Sequence, residues 1–320
     1  MMVDPYTFHF HSEVISTKTL GMDEFPAWGQ FHLPYADKRQ LNFSDASLLR
    51  QSFASELFHA ILLQLDTGSP FDFSYGLADN HFFLYFMLQG GVDFATEQGR
   101  PISRPRGNRF YVTHNAAGTY LARCDSGRHI ALAVTLSPAW LADIDTTMCP
   151  HLEGTISRYL NGVEPYGVMP NCRMGKPVHE WLEALYGQYH EIPWVQGSQM
   201  MAFISYILAY YDRLAGYKLG TPAYKAMHHI SSNFGDNRLS IPLLADTCHT
   251  IPKTLTRNFV NEFGQTPHQY LMEVRLWNAR DIFQSTDLQV KEVYPMVGYR
   301  DERSFRKEFV KLFGHPPRRG

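Results

Sequence analysis

The end of this 320-residue chain carries one helical pattern twice, and this repeat constrains the fold more than any other feature. The first copy covers residues 241–264 and the second covers residues 290–314. Each copy has a short apolar segment, a break, and a longer segment that ends in Phe-Gly. Apolar residues recur every four positions in the longer segments, which places them on one face of a helix. They are Leu255, Phe259 and Phe263 in the first copy and Phe305, Phe309 and Phe313 in the second.

The break and the end of each copy also carry turn signals. Gly264 and Gly314 stand where a helix C-terminus commonly needs a residue with positive φ. A short helix, a turn and a longer helix with an apolar inner face form a helix-turn-helix, whose second helix enters the major groove of DNA. The repeat therefore predicts two helix-turn-helix modules.

This region resembles the DNA-binding domain of the AraC/XylS family of bacterial transcription regulators. The resemblance implies a helix from about Pro222, the first module, a linking helix over about residues 268–284, and the second module. The matching positions stay in register through both copies: Ala245, Pro252, Leu255, Arg257, Phe259, Gly264, Pro267, Tyr270, Leu271, Arg275, Ala279, Val293, Val297, Gly298, Tyr299, Phe305, Lys307, Phe309, Gly314 and Pro316.

Some positions depart from the family pattern. Tyr294-Pro295 lies in the short helix of the second copy, where the family has a small residue. Proline inside a helix costs ~3 kcal/mol, so we expect this helix to end early or kink. His249 replaces the usual turn glycine and Ile251 the usual N-cap serine, which makes Thr250 an alternative cap.

Charge is distributed unevenly along the chain. Residues 221–320 hold 14 Lys and Arg against 10 Asp and Glu, whereas residues 1–220 hold 15 against 21. A basic C-terminal region attached to an acidic one predicts a nucleic-acid-binding module joined to a domain of another kind.

The four cysteines are scattered, without a CxxC pair, which argues against a zinc site or a disulfide framework and favours the reducing cytoplasm. We find no apolar run near 18 residues and no signal peptide pattern, so we expect a cytoplasmic protein that does not associate with a membrane.

The N-terminal region shows many short β-type segments separated by glycine and asparagine turns. Residues 1–50 are expected to form loops and short strands, and strands follow at 56–65, 71–75, 81–88, 92–96, 109–113, 119–124 and 128–136. This pattern predicts an antiparallel barrel or sandwich. The family resemblance implies a cupin-like barrel over about residues 50–136. The expected fold class is α+β, with an all-α C-terminal domain.

Helical patterns follow the strands. We predict a short helix over residues 138–144, an irregular segment over 145–176, and helices over about 177–191 and 197–214, whose apolar stripe includes Tyr189. These two helices pack on the barrel or form a dimer interface. Residues 215–222 are interpreted as a linker, so the predicted domains are a sensor and dimerisation domain at 1–215 and a DNA-binding domain at 222–320.

Polar side chains beside the apolar stripes are the candidates for DNA contacts. Base readers are expected in the N-terminal turns of the second helices, and Lys311, Arg318 and Arg319 at phosphates or in solvent. Arg275 is expected to brace the modules. The alternative for each candidate is a solvated surface charge. The candidates are Lys253, Thr254, Thr256, Arg257, Arg300, Glu302, Arg303, Arg306 and Lys307, of which Lys253, Thr254, Arg257, Arg303 and Arg306 are favoured as base readers.

The resemblance implies a small-molecule sensor in the N-terminal domain. His9-Phe-His11 has the histidine spacing of metal-binding cupins, but no convincing third ligand follows, so neither a metal nor a cofactor is expected. The side chains that could line a barrel mouth are His81, Tyr85, His114, Tyr120 and Arg123, each with a structural role as the alternative.

The leading function is a sequence-specific DNA-binding transcription regulator. Its expected partners are double-stranded DNA, a small-molecule effector, a second copy in a homodimer and, for an activator, RNA polymerase. One alternative is a cupin-type enzyme with an accessory helical domain, although the chain lacks a GxSxG elbow, a P-loop and a dinucleotide fingerprint. Another is a regulator controlled by a partner protein. A DNA repair protein with an AraC-like domain is disfavoured by the scattered cysteines.

Overall fold

The computed structural model describes residues 2–187 and 190–317. The chain divides into two compact units, Met1–Gly216 and Tyr217–Gly320. Tyr189 in the predicted helix stripe, and Arg318 and Arg319 among the predicted phosphate or solvent contacts, lie outside the described residues.

The N-terminal unit is built on antiparallel strands. The strands are β1 (Tyr6–Phe10), β2 (Ser16–Leu20), β3 (Asp37–Asn42), β4 (Ala46–Ala54), β5 (Phe58–Thr67), β6 (Phe71–Leu77), β7 (His81–Gln89), β8 (Asp93–Thr96), β9 (Pro101–Ser103), β10 (Arg109–Asn115), β11 (Gly118–Cys124), β12 (Gly127–Leu136), β13 (Tyr166–Val168) and β14 (Cys172–Arg173). The strands predicted between residues 56 and 136 are confirmed. The sheets begin earlier than the predicted barrel, because β1 already pairs with β6.

These strands form two sheets. One has the order β1-β6-β11-β8-β9, and the other has the order β13-β10-β7-β12-β5-β4-β3-β2, with β14 paired to β10. Both sheets send alternate side chains into a shared apolar space, for example Ile61 from β5 and Phe73 from β6. The described strands therefore face each other across a core without closing into the expected cupin-like barrel. Alternation predicts strands, but it does not say which edge strands hydrogen-bond, so closure was not encoded in the pattern.

Four helices of this unit are α1 (Pro138–Asp143), α2 (Pro150–Leu160), α3 (Lys176–Gly187) and α4 (Pro193–Leu219). The irregular segment predicted at 145–176 is wrong, because α2 lies within it and buries Leu152, Ile156 and Tyr159. Their spacing of four and three residues is helical, but a preceding proline and an internal glycine hid the pattern.

The predicted linker at 215–222 is also corrected, because α4 continues through Gly216 to Leu219. A Cβ on Gly216 would lie 2.2 Å from Nε2 of His151, so the glycine admits that imidazole against the helix. Glycine in a helix costs roughly 1 kcal/mol, and close packing of this kind offsets it. Only Gly220 and Thr221 separate α4 from the next helix.

The C-terminal unit is helical. Its helices are α5 (Pro222–Asn233), α6 (Ile241–Thr247), α7 (Pro252–Phe263), α8 (Pro267–Ser285), α9 (Val290–Met296) and α10 (Glu302–Phe313). The linking helix predicted over residues 268–284 is confirmed as α8. Its start is fixed by a capping box, in which Thr266 and Gln269 satisfy each other's backbone N–H groups.

Two apolar cores lie along this unit. One contains Leu244 of α6 and Leu255 and Phe259 of α7, together with side chains of α5. The other contains Val293 of α9 and Phe305 of α10. Helix α8 contributes Leu271 to the first core and Leu276, Ala279 and Phe283 to the second. Each core therefore supports one helix-turn-helix, and α8 belongs to both.

Within the described ranges, none of the helices is long and apolar enough to cross a membrane.

Candidate nucleic-acid interface and effector cavity

The turns of the two modules have the same hydrogen-bond pattern. After α6, the N–H of His249 donates to Asp246 O at 3.1 Å and that of Thr250 donates to Ala245 O at 2.9 Å. After α9, the N–H of Gly298 donates to Pro295 O at 3.1 Å and that of Tyr299 to Tyr294 O at 3.0 Å. Both turns are therefore Schellman motifs, in which one residue with positive φ reverses the chain.

Pro295 does not shorten the second module as expected. Helices α6 and α9 are both seven residues long, and Pro295 lies in the last turn of α9. A proline there removes only the hydrogen bond to the carbonyl four residues earlier, near the start of a short helix. The carbonyl of Pro295 still accepts in the turn, so the expectation of an early end is wrong.

The N-termini of the two second helices are capped differently. Ile251 is the N-cap of α7 and makes no side-chain cap hydrogen bond, so the alternative cap at Thr250 is not found. Asp301 is the N-cap of α10, and its carboxylate accepts the N–H of Ser304 at 2.8 Å. That hydrogen bond holds the pKa of the Asp301 carboxyl below its ordinary range.

The first recognition helix presents a simple basic face. Leu255 and Phe259 are fully buried, so the opposite side of α7 faces outward. Lys253 and Arg257 are exposed one turn apart on that side, and Thr254 and Thr256 are half-buried beside them. Within residues 2–187 and 190–317, neither Lys253 nor Arg257 forms an ion pair, so both cations are available for phosphate or base contacts.

The second recognition helix presents more charges, and some are paired. Arg303, Arg306 and Lys307 are exposed together, because they lie three and four residues apart. Nε of Arg306 lies 2.7 Å from Oε1 of Glu302, one turn earlier. Arg300 precedes the helix, and its Nη2 donates to the carbonyl of Asn237 at 3.1 Å. Glu302 therefore holds Arg306 in place, whereas Arg303 and Lys307 keep greater freedom.

Arg275 of α8 connects the loop after α5 to the turn of the second module. Its Nε donates to Phe234 O and its Nη2 to Asp236 O, both at 2.8 Å. Its guanidinium also lies 5.9 Å from the ring centroid of Tyr299, in the turn of the second module. This buried arginine thus fixes the loop after α5 against the second turn. The predicted pairing with carbonyls is confirmed, but those carbonyls belong to the loop after α5 and not to the first module.

The N-terminal unit holds an apolar cavity between its two sheets. The cavity has a volume of about 100 Å³. Its wall is mainly aromatic and aliphatic and includes Tyr6, Phe8, Ile61, Phe73, Tyr85 and Tyr111. His129 also lines it, and both ring nitrogens are satisfied, one by the N–H of Gly91 at 3.0 Å and the other by the Asp125 carbonyl at 2.8 Å. The cavity is therefore suited to an apolar body.

The five effector candidates are divided among different places. Tyr85 lines the cavity. Tyr120 is buried beside it, and its hydroxyl donates to Ala116 O at 2.8 Å. His81 lies on the same strand face as Phe83, a lining residue, at the end of the cavity. His114 and Arg123 lie on the opposite faces of their strands, where His114 packs near Tyr159 and Arg123 pairs with Asp72. Strand parity separates the last two from the cavity.

Sequence reasoning missed Arg50 and His59, which lie at the same end of the cavity as His81. Arg50 lies at the end of the stretch predicted as loops and short strands, whereas His59 lies in the strand predicted at residues 56–65. The signal that finds them is parity: Arg50 is two residues from Leu48, and His59 is two residues from Ile61, and both of those side chains line the cavity.

The C-terminal domain matches known proteins. Residues 244–319 match the model of a helix-turn-helix domain. The chain is 30% identical over 94 residues to the xylose operon regulatory protein of Haemophilus influenzae. This alignment covers 29% of this chain and 24% of that protein. It is 30% identical over 95 residues to the HTH-type transcriptional activator RhaS of Yersinia pestis, covering 30% and 34%.

This region is an AraC-type helix-turn-helix domain. Each of these alignments covers less than half of the relative's own length. Among solved structures, the C-terminal domain of the AraT response regulator from Geobacillus stearothermophilus is similar, with 25% identity, a TM-score of 0.29, and coverage of 30% of this chain and 78% of that one.

Proposed function

We propose that this protein is a sequence-specific DNA-binding transcription regulator. The observation that carries the proposal is the pair of recognition helices, α7 and α10, each presenting exposed cations opposite a buried apolar stripe. The AraC-type domain supports it, because its relatives include a named operon regulator and a named activator. The proposal therefore rests on the geometry of the two recognition helices and on a similarity to known regulators that is confined to the same region of the chain.

In the proposed complex, α7 and α10 enter two major-groove segments. Such segments on one face of DNA lie about 34 Å apart. Helix α8 has 19 residues and is therefore about 28 Å long at 1.5 Å per residue. The modules extend beyond its ends, or the DNA bends toward them. A circular-permutation assay without a bend would exclude the second arrangement.

We assign base reading to Lys253, Thr254, Arg257, Arg303 and Arg306, and supporting contacts to Thr256, Arg300, Glu302 and Lys307. The N-terminal turns of recognition helices reach the base edges, and arginine recognises guanine through two parallel hydrogen bonds. Glu302 holds Arg306 in the free protein, so this pair would be positioned before DNA arrives.

The N-terminal unit is proposed to sense a small molecule in the cavity between the sheets, and the protein is proposed to act as a homodimer in the cytoplasm. An activator of this kind would also contact RNA polymerase. The xylose and RhaS names do not transfer an effector to this chain, because those alignments cover less than a third of it.

The test is selection of binding sites from random duplex DNA with the full chain. We expect enrichment of a site whose two halves are separated by about one helical turn, as expected for two modules. A double variant, Arg257→Ala with Arg306→Ala, should lose the enriched sequence while keeping non-specific binding at low salt. Failure of the unaltered chain to enrich any sequence, with or without candidate effectors, would refute the proposal.

A further inference from the structure

A half-buried polar cluster lies at one end of the space between the sheets, next to the apolar cavity. It consists of Arg50 on β4, His59 on β5 and His81 on β7. Because side chains alternate along a strand, each lies on the same face as a cavity-lining residue two positions away: Leu48, Ile61 and Phe83. The inter-sheet space therefore has an apolar body and a polar end.

The segment at residues 4–10 contributes to both parts. The carboxylate of Asp4 forms an ion pair with the guanidinium of Arg50. Its Oδ1 accepts the N–H of Tyr6 at 3.1 Å and lies 4.0 Å from Nε2 of His59. Tyr6 and Phe8 line the cavity, and the Arg50 guanidinium lies 5.9 Å from the ring centroid of Phe8. One short segment thus forms cavity wall and provides the counter-ion.

The cluster has more hydrogen-bonding capacity than the protein uses. Across residues 2–187 and 190–317, the structure provides no partner for buried Nε of Arg50 or for Nδ1 of His59 and His81. Burial, followed by the charge of Arg50, lowers the pKa of His59 to about 4, so this imidazole is neutral at pH 7. Buried polar atoms are nearly always satisfied, so three unsatisfied nitrogens grouped near the Asp4–Arg50 ion pair leave hydrogen-bonding capacity for the oxygen atoms of a ligand.

We propose that this cluster binds the head group of an organic monocarboxylate whose apolar body occupies the cavity. The ligand carboxylate takes the place of the Asp4 carboxylate on Arg50, which is the same functional group on the same guanidinium. At about 100 Å³ the cavity is smaller than an engineered apolar cavity of about 150 Å³ that holds benzene, so the apolar body is at most a single ring or a short chain. This inference deepens the proposed function by naming the chemical class of the effector.

Asp4 then acts as an intramolecular competitor. A ligand binds only the fraction of molecules in which Arg50 is free, and its apparent affinity falls by that fraction. Asp4→Asn keeps the size of the side chain and removes its charge. This variant should bind a fitting carboxylate more tightly than the unaltered protein, on the order of tenfold or more.

The experiment is isothermal titration calorimetry on the full chain with phenylacetate and hexanoate, each compared with its uncharged amide. We expect both acids to bind Asp4→Asn more tightly than the unaltered protein, and neither amide to bind measurably. Adding Arg50→Gln to Asp4→Asn removes both charges of the pair and should abolish acid binding. Thermal unfolding of each variant by circular dichroism establishes that it is folded.

The site assignment is overturned if neither acid binds Asp4→Asn, or if the amides bind as well as the acids. It is also overturned if the double variant retains acid binding. DNA binding is measured separately by fluorescence anisotropy on the same preparations. If the protein is not a DNA-binding regulator, sequence-specific DNA binding will be absent while carboxylate binding remains. Failure of the regulator proposal can therefore be distinguished from failure of the carboxylate site.

Discussion

The turn of the first module passes through His249 at φ 52°, whereas the turn of the second passes through Gly298 at φ 81°. The hydrogen bonds of the two turns are otherwise equivalent. A side chain is tolerated at His249 because that residue is exposed. At Gly298 a Cβ would lie 2.5 Å from Phe234 O and 2.7 Å from Nη2 of Arg275. The same turn conformation is therefore exposed to solvent in the first module and enclosed by neighbouring atoms in the second.

The helix caps and the tertiary contacts of the two modules also differ. The second module has an Asp301 cap and is contacted by Arg275, whereas the first has the uncapped Ile251. In the first, Glu262 near the end of α7 accepts a hydrogen bond from the Tyr224 hydroxyl at 3.1 Å, which ties α7 to α5. The second module is thus fixed at its turn, and the first at the far end of its recognition helix.

Replacing Arg275 by methionine should have the largest effect on this arrangement. Methionine fills much of the same space but leaves the carbonyls of Phe234 and Asp236 without their charged donor. Hydrogen bonds to charged groups contribute about 1.5–3 kcal/mol each, so we expect a loss near 3 kcal/mol in urea unfolding.

Arg280→Met on the same helix is the matched control. Arg280 lies 5.1 Å from the ring centroids of both Trp277 and Phe313, and cation–π contacts of this kind contribute about 0.5–1 kcal/mol each, so this variant should lose less stability than Arg275→Met. Equal losses for the two variants would mean that Arg275 does not brace the second turn.

Gly298→Ala should destabilise the protein by about 2 kcal/mol. The left-handed backbone conformation costs a residue with a Cβ roughly 1–2 kcal/mol, and the close approach of the Phe234 carbonyl adds to that cost. Gly314→Ala isolates the conformational part, because φ there is 75° and no atom lies within 4 Å of the added Cβ. If both variants lose the same stability in urea unfolding, the turn of the second module is not enclosed.

Arg306→Ala should weaken DNA binding by about 1.5 kcal/mol, mainly at a few base pairs of the selected site. Bidentate base contacts contribute about 1–3 kcal/mol, and the ion pair of Nε with Glu302 leaves both Nη groups of Arg306 for such a contact. Lys311→Ala should instead weaken binding evenly across sequences and lower the salt slope by about one unit. Indistinguishable sequence profiles in anisotropy titrations would refute this division of roles.

The sequence predicted the C-terminal unit closely because its signals are local. The helical period identifies the helices from neighbouring residues alone. Their ends are marked by Thr266 before Pro267 and by glycines at 264 and 314, again without reference to distant residues. The N-terminal unit depends on distant pairing. Strand alternation identified β7 and β10, but it does not show which face of each strand points into the core. Without that information, Tyr85, which lines the cavity, cannot be distinguished from His114, which does not. Arg50 meets Asp4 through tertiary structure alone, and no local pattern indicates such a pair.

Giving the first module the cap of the second should stabilise it by about 1 kcal/mol. Ile251 already has the extended backbone of an N-cap, with φ −101° and ψ 150°. In Ile251→Asp the new carboxylate can accept the N–H of Thr254, as Asp301 does for Ser304. Ile251→Ala controls for the loss of the exposed apolar side chain. No gain of Asp over Ala in urea unfolding would show that the two caps are not interchangeable.

His249→Gly is the smallest and most direct comparison of the two turns. Relief of the left-handed conformation favours glycine by roughly 1–2 kcal/mol, and the greater freedom of glycine in the unfolded chain opposes it by about 0.5–1 kcal/mol. We expect a net gain of about 0.5 kcal/mol in urea unfolding, with His249→Ala no more stable than the unaltered protein. Destabilisation by glycine would mean that the imidazole itself stabilises the first turn. The two turns would then share a backbone conformation but be stabilised by different interactions.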